Sequence, residues 1–340
     1  MKAFDSILSS PDWFLASFDP DGGRFAFFKT NRQKLDGAAF HDGRTELSIN
    51  SELVYVSLDE AISWRDNQGS LFTPHRIIAH ISFCASNLLA RSLELGGRSL
   101  SYREPQVLID LANIKAARNT LTEQNAVWQS VLQFAFGQFQ KCSVEQDAAF
   151  VKPSNWVNNI LPDLAIDSGG GRFVLMDMDI ESYLIANIRG GKSRIGYSLE
   201  LLNHLVSERP KYQSMIVTVE KMPITPMRRA LYLLVICFEI QMTLLAIIER
   251  ETRAQHVFRL SRIDFLTSPE QSLLSASRTL DLPIPSADSA PDRIELFNSH
   301  AKLDEKKVFS SIDEESQNAR IKSEFQVDIS SACEWHHHFF

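Results

Sequence analysis

Residues 80–91 (HISFCASNLLAR) have the composition and spacing of an anion-binding turn. A short apolar run precedes the turn, small residues form its centre, and a leucine-rich helical pattern follows it. Such a strand–turn–helix connection directs backbone N–H groups and the positive end of the helix dipole at one position, where a phosphate or sulfate group can bind. The polar side chains in the turn add further donors. The sequence therefore predicts an anion site formed by Ser82, Phe83, Cys84, Ala85, Ser86, Asn87 and Leu88.

The turn contains neither GxxxxGK[ST] nor GxGxxG, the two common phosphate-binding motifs. On its residues alone, an ordinary tight connection between a strand and a helix is the simpler interpretation. The rest of the chain must therefore be consulted before a function is attached to it.

Short apolar strands alternate with helical patterns along the middle of the chain. Strands are predicted at residues 76–82, 99–102, 148–152 and 172–177. Alternation of this kind is typical of an α/β protein with a parallel, doubly wound sheet. We expect this domain to cover residues 73–285, with an N-terminal α+β layer at residues 1–72 and a polar extension at residues 286–340. Within the N-terminal layer, Arg24–Lys29 follows an Asp-Gly-Gly turn and predicts a hairpin.

The composition of the 340-residue chain is that of an ordinary globular protein, with 44% hydrophobic and 23% charged residues. Its formal net charge of −7 gives no support to nucleic-acid binding. The four cysteines lie far apart, without a C-x-x-C pair, and the histidines at residues 336–338 are expected to belong to a mobile tail. Residues 1–10 lack the apolar core of a secretory signal, so we expect a cytoplasmic protein without a metal cofactor.

One apolar segment invites comparison with a membrane span. Residues 230–238 are wholly apolar, but Glu239 and Gln241 follow them, and a charge at the bilayer centre costs about 2.5–3.5 kcal/mol. We therefore expect a buried core helix that starts after Pro223 and Pro226, and no membrane span.

Residues 80–91 resemble the 5′-phosphosulfate loop of sulfotransferases, in which a strand, a basic residue, Ser-Gly-Thr-Thr and a helix follow one another. They are most similar to bacterial sulfotransferase-like proteins whose loop reads F-C-x-S-x-L-L-A-R. The resemblance covers about residues 75–285 by a coarse alignment. It implies a P-loop NTPase-like three-layer fold with a parallel central sheet, beside the small N-terminal layer. It also implies that 3′-phosphoadenosine 5′-phosphosulfate is the donor and that a hydroxyl or amine is the acceptor.

Two further segments carry the resemblance and imply catalytic residues. Glu104, just after the second strand, resembles the base of tyrosylprotein sulfotransferases, although a glutamate at a helix start can equally complement the helix dipole. Lys152 resembles the lysine of their Asn-Lys-Asp-Pro stretch and would stabilise charge that develops on the bridging oxygen. It ends an apolar strand at the edge of the sheet where ligands bind. A late strand and helix over residues 257–282 also match, and they support the fold rather than the activity.

The chain departs from the family pattern at the donor site. Phe83 replaces the usual basic residue, Ala85 the glycine and Asn87 the second threonine of the loop. The Arg and Ser that hold the 3′-phosphate align with Met178 and Ala186, or with Met176 and Leu184 when the frame is shifted by two residues, and neither frame restores the pair.

The charges around that region also differ from the family. Asp177, Asp179 and Glu181 predict an acidic neighbourhood, which would repel phosphate. The residues considered as substitutes for the missing cations are Arg91, Arg103, Arg189 and Lys192.

These observations leave three interpretations open. The first is a sulfotransferase whose acceptor is a sugar, lipid, peptide or small metabolite. The second is a non-catalytic protein of the same fold that binds a nucleotide or a protein partner. The third, phosphoryl transfer from ATP, suffers from the absence of a Walker lysine and of a clear Mg²⁺ motif.

Overall fold

The structure is a computed structural model and describes residues 4–50, 52–68, 75–95, 98–118, 120–142, 147–167, 171–284, 296–297 and 311–340. The strands are β1 (Trp13–Asp19), β2 (Arg24–Lys29), β3 (Leu53–Ser57), β4 (Arg76–His80), β5 (Ser99–Arg103), β6 (Ala148–Lys152), β7 (Arg172–Asp177) and β8 (Val257–Ser261).

The helices of the first half of the chain are α1 (Asp5–Ser9), α2 (Arg32–Gly37), α3 (Leu58–Gln68), α4 (Ser86–Glu94), α5 (Gln106–Ala116), α6 (Thr120–Glu123), α7 (Asn125–Gln138) and α8 (Leu161–Asp167). Those of the second half are α9 (Ile180–Arg189), α10 (Gly191–Val206), α11 (Pro210–Lys221), α12 (Pro226–Glu251), α13 (Arg262–Thr267), α14 (Pro269–Leu280), α15 (Ser311–Glu324) and α16 (Gln326–Phe339). Two 3₁₀ helices lie at Asn155–Asn159 and Ala254–His256.

Five strands form a parallel sheet in the order β5-β6-β4-β7-β8. Every residue of β4, β5 and β6 is buried, because the crossover helices of a parallel sheet cover both of its faces. The four predicted strands are present, and residues 81 and 82 lie beyond β4, in the turn. The predicted α/β fold class with a parallel central sheet is therefore confirmed.

The order in which the chain adds strands to the sheet changes direction at β4. The chain crosses the sheet one way from β4 to β5, and the other way from β6 to β7 and β8. Since such crossovers are right-handed, α4 lies on one face and the helices after β6 and β7 lie on the other. Helix α14 contacts α4 and lies on the same face. The strands end at the carboxyl edge of the sheet. In open α/β sheets, ligands bind at this edge where the strand order changes direction, which in this protein is the end of β4.

The N-terminal layer is an antiparallel sheet in the order β1-β2-β3. The hairpin predicted at Arg24–Lys29 is confirmed, and its turn uses Gly23 at φ +56°, a conformation that glycine adopts without steric cost. Phe25 is fully buried and its ring packs 4.7 Å from that of Phe134 on α7. The small sheet thus shares its apolar core with the parallel-sheet domain.

Helix α12 is the core helix that the sequence predicts. Pro226 is its first residue and Thr225 caps it. Among the described residues it is the one helix long and apolar enough to cross a membrane, but 67% of its most apolar stretch is buried inside the protein. Helix α16 packs along α12, where His336 lies 2.5 Å from Glu239. The expectation of a mobile histidine tail is therefore wrong, because these residues continue a docked helix.

Candidate active site

The predicted anion-binding loop joins β4 to α4 at the carboxyl edge. Phe83 (φ +66°) and Ala85 (φ +70°) both adopt the left-handed conformation, which is uncommon for residues other than glycine and costs each about 1–2 kcal/mol. The Ile81 N–H donates to the Met176 carbonyl (3.0 Å), and the Leu89 N–H donates to the Ala85 carbonyl (3.1 Å) as α4 begins. The surrounding structure holds the loop in a strained shape, which is a common property of functional sites.

A buried polar network fixes the first residue of this loop. The Ser82 N–H donates to Gln241 Oε1 on α12 (3.2 Å), and Asn155 Nδ2 donates to Ser82 Oγ (2.7 Å) and to the same Gln241 oxygen (3.0 Å). The Tyr197 hydroxyl of α10 donates to Asn155 Oδ1 (2.7 Å). Ser82 therefore connects the loop to two helices, and its N–H and hydroxyl already have protein partners.

The structure brings the two predicted catalytic residues together. Lys152 Nζ lies 2.5 Å from Glu104 Oε1, and the Glu104 N–H donates to the Lys152 carbonyl (2.8 Å). This contact follows from the sheet, because Arg103 and Lys152 are paired neighbours at the ends of β5 and β6. The Lys152 side chain is only 1% exposed and Glu104 is 16% exposed. A buried ammonium group is tolerated when it is paired in this way.

Lys152 also faces the loop. Burial raises the pKa of the Cys84 thiol to about 11, and the charge of Lys152 opposes that rise. Cys84 is thus a neutral thiol, which donates to the Ile81 carbonyl (3.2 Å). The paired carboxylate and ammonium of Glu104 and Lys152 therefore lie beside the predicted anion site.

His80 is a buried residue at the end of β4. Its Nδ1 lies 2.8 Å from the Ile81 carbonyl, and its Nε2 lies 3.0 Å from the Pro153 carbonyl. The two carbonyls favour the imidazolium, but burial and then the charge of Lys152 outweigh them and lower the pKa of His80 to about 3. His80 is therefore neutral and joins the end of β4 to the segment after β6.

The N-terminal layer contributes an arginine to this site. Arg44 Nη2 lies 3.3 Å from Glu104 Oε2 and 2.5 Å from Asp42 Oδ2. Its guanidinium stacks on Phe40, with the Cζ atom 3.7 Å from the ring centroid. The His41 N–H donates to the Arg103 carbonyl (2.6 Å), so the segment is fixed against the end of β5. Glu104 therefore has cations on two sides.

Four residues were considered as substitutes for the missing cations of the donor site. Three of them have other partners or positions in the structure. Arg103 is buried and binds Glu94, Ser101 and the carbonyls of Leu35 and Ala38, so it anchors the N-terminal layer. Arg189 pairs with Glu314 and donates to Asn318 Oδ1 (2.8 Å). Lys192 is exposed near the start of α10, and the fourth, Arg91, lies in the last turn of α4.

The cation that does lie against the loop is Arg194, which the sequence analysis missed. Its Cζ atom is 4.8 Å from the centroid of the Phe83 ring, and its Nη1 donates to the Ala186 carbonyl (3.0 Å). Burial and then the charge of Arg189 lower the pKa of Arg194. A Cβ atom on Gly190 would lie 1.9 Å from Arg194 Cδ, so the arginine packs directly over that glycine.

The expected acidic repulsion at the donor site is also corrected. Asp177 lies 2.6 Å from Arg259 Nε on the neighbouring strand β8, and Asp179 caps α9 by accepting from the Ser182 N–H (2.8 Å). Glu181 pairs with Lys322 on α15 (2.8 Å). Asp177 and Glu181 are thus neutralised by cations from distant parts of the chain, which local sequence does not reveal, whereas Asp179 is a helix cap.

Met178 and Ala186, which align with the phosphate-binding pair of the family, are both buried. Apolar side chains thus occupy the two positions, as the sequence indicates. Among the described residues no group of three His, Cys, Asp or Glu residues could hold a metal ion.

Comparison with solved structures gives a distant similarity. The chain matches no family model and no curated protein sequence. A solved structure, the sulfotransferase domain from the curacin biosynthetic pathway, is similar with a TM-score of 0.39 and 12% sequence identity, over 75% of this chain and 98% of that one. The function is therefore argued from the site itself.

Proposed function

We propose that this protein transfers a sulfuryl group from 3′-phosphoadenosine 5′-phosphosulfate to a hydroxyl or amine. The observation that carries the proposal is the buried pair of Glu104 and Lys152 at the carboxyl edge, 2.5 Å apart and beside the strained loop after β4. A carboxylate that can accept a proton and an ammonium that can stabilise negative charge are the two groups this reaction requires.

The loop fits the phosphosulfate end of such a donor. Phe83 and Ala85 adopt left-handed conformations that turn the chain tightly before α4, so that the start of this helix is directed at one position. Cys84, between them, is a neutral thiol. Arg194 supplies a guanidinium where the family pattern lacks its basic residue. When bound, the donor would supply a sulfuryl group on a phosphate leaving group. Ser86, Asn87 and Arg194 are the residues we expect to hold it.

Glu104 is the residue we expect to remove the proton of the acceptor. It is the more exposed member of its pair, and Arg44 lies on its other side. The two cations hold the carboxylate in a fixed position, which lowers the cost of orienting it for proton transfer. Lys152, which is buried at the sheet edge, is placed to stabilise charge on the oxygen that leaves.

Calorimetric titration with 3′-phosphoadenosine 5′-phosphate, the desulfated product, tests this proposal first, with ATP and ADP as controls. We expect selective micromolar binding. Lys152→Ala and Glu104→Ala should then abolish turnover in an acceptor screen, while circular dichroism shows a folded protein. Unchanged turnover in both variants would refute the assignment of these two residues, and preferential binding of ATP would favour phosphoryl transfer.

A second candidate, a non-catalytic nucleotide- or protein-binding role, is favoured by Phe83. Its ring packs 6.4 Å from that of Tyr183 and under Arg194, in the place of the basic residue of the family pattern. Absence of binding to any of the three nucleotides would favour this role.

A further inference from the structure

Two arginines from separate elements converge on one carboxylate of the C-terminal helix α15. Arg189, at the end of α9, and Arg262, directly after β8, both contact the same oxygen, Oε1 of Glu314, the second at 3.1 Å. All three side chains are largely buried, with exposed fractions of 18%, 24% and 14% for Arg189, Arg262 and Glu314. In the described part of the chain, Glu314 is the acid that both arginines contact, and it fixes α15 to the domain.

A third arginine, Arg194, lies beside this pair, with its side chain packed against Gly190, the residue that follows Arg189. Arg194 donates to the carbonyl of Ala186, one helical turn before Arg189 on α9. Burial and then the charge of Arg189 lower its pKa, whereas the charge of Glu314 opposes this effect. Because Arg194 also stacks on Phe83, the cluster of these three arginines and Glu314 adjoins the loop after β4.

The cluster carries more positive charge than its acid can neutralise. Among the described residues, three guanidinium groups and the Glu314 carboxylate leave a local surplus of two positive charges, in a chain whose formal net charge is −7. A phosphate monoester is close to a dianion at neutral pH and has three oxygens, so it can satisfy several guanidinium groups at once. A glutamate can provide only two oxygens and one charge.

We propose that Arg189, Arg194 and Arg262 form a binding site for a phosphate group, and that Glu314 occupies this site from within the chain. A phosphate-bearing ligand competes with Glu314, and its binding releases α15 from the arginines. The proposal goes beyond the proposed function, because it requires a phosphate group and does not require sulfuryl transfer. The alternative is that Glu314 is only a structural anchor for α15.

Titration with inorganic phosphate distinguishes a phosphate site from a purely structural anchor. The buffer contains no sulfate, and no phosphate other than the titrant. In Glu314→Gln the competing charge is absent, so we expect phosphate to bind about tenfold more tightly than to the wild type. Glu315→Gln is the matched control, because Glu315 is the next residue of α15, is exposed and carries the same charge. A double variant with Arg189→Gln should lose the gain. Equal affinity in the wild type and Glu314→Gln, or a gain retained in the double variant, would overturn the proposal.

Hydrogen exchange of the wild-type protein gives a second test that needs no variant. Saturating phosphate should accelerate exchange of the α15 amides, and the buried helix α5 serves as the internal reference. Unchanged exchange in α15 while phosphate binds would place the ligand elsewhere and refute the proposal.

The same titrations with 3′-phosphoadenosine 5′-phosphate show whether the phosphate belongs to a nucleotide. Binding much tighter than that of inorganic phosphate, with the same dependence on Glu314, assigns the site to a nucleotide. Equal affinities assign it to free phosphate. Absence of sulfuryl transfer would end the proposed function and leave this site intact, whereas a phosphate affinity independent of Glu314 would end this inference alone.

Discussion

The two ends of the carboxyl edge handle buried charge in different ways. At the β5–β6 end, Lys152 is balanced by Glu104, which comes from the adjacent strand, and the nearby His80 is neutral. At the β7–β8 end, Arg189 and Arg262 contact Glu314, which comes from a helix far along the chain, and Arg194 lies close to them. The first arrangement is built into the sheet and is suited to fixed chemistry. The second depends on a separate helix and is suited to exchange of an anion.

Acid should have the largest effect, and it acts on the β5–β6 end, because the buried His41 and His80 lie near that end. Burial and then the charge of Arg103 lower the pKa of His41 to about 3, and that of His80 is also about 3. The unfolded chain binds protons at these residues near pH 6.5, before the folded protein does. Their stabilising contribution is therefore complete above pH 6.5 and is lost as the pH falls towards 3. Each should cost about 1.4 kcal/mol of unfolding free energy per pH unit.

Urea unfolding between pH 7 and pH 4.5 measures this effect. Two such histidines predict a loss of about 5 kcal/mol over the two units below pH 6.5. Burial also lowers the pKa of His75 and His204 to about 4, so four histidines contribute over this range. His41→Gln should therefore reduce the slope by about a quarter, and His80→Gln should do the same. An unchanged slope in both variants would show that the acid sensitivity originates elsewhere, for example at His75 or His204.

Removing one partner of the Glu104–Lys152 ion pair should have the next largest effect on stability. Lys152→Met leaves Glu104 with Arg44 alone, and breaking a buried ion pair from one side costs about 3–5 kcal/mol. The double variant Lys152→Met/Glu104→Gln removes both charges and should recover most of that loss. Chemical denaturation of the single and double variants gives the coupling. Additive losses would show that the contact contributes little.

The β5–β6 end is also the part of the site that sequence could predict. Short apolar runs predict the strands, and parallel strands end at one edge, which is where Glu104 and Lys152 meet. Gln241, Arg44 and Arg194 were missed, because each approaches from an element whose packing depends on the whole fold. The partners of Asp177 and Glu181 were missed for the same reason, since Arg259 and Lys322 are distant in sequence. Local pattern predicts elements and edges, but not the charges that tertiary contacts bring to them.

Displacement of Arg194 should weaken anion binding at the β7–β8 end and leave the Glu104–Lys152 pair at the other end unchanged. Gly190→Ala places a Cβ atom in the space of the Arg194 side chain, so the arginine must leave Phe83. Gly190 has φ −80°, which alanine adopts without strain. Loss of one charge-assisted contact predicts about tenfold weaker binding of 3′-phosphoadenosine 5′-phosphate by calorimetry.

Gly196→Ala is the control for this variant. It lies on α10, as Arg194 does, and no atom is within 4 Å of its added Cβ. We expect unaltered binding and a gain of up to about 1 kcal/mol in stability from helix propensity. If Gly190→Ala binds the nucleotide as tightly as Gly196→Ala does, Arg194 has no part in the site.

The smallest effect concerns the loop that lies between the two ends. Ala85 has φ +70°, where a Cβ atom is strained, so Ala85→Gly should stabilise the protein by up to about 1 kcal/mol. Ala90→Gly, in the buried interior of α4, should destabilise it by about the same amount through helix propensity. Thermal denaturation of the two variants compares them directly, and opposite signs are expected. Destabilisation by both would mean that the left-handed turn at Ala85 carries no strain and that the shape of the loop needs no support from its surroundings.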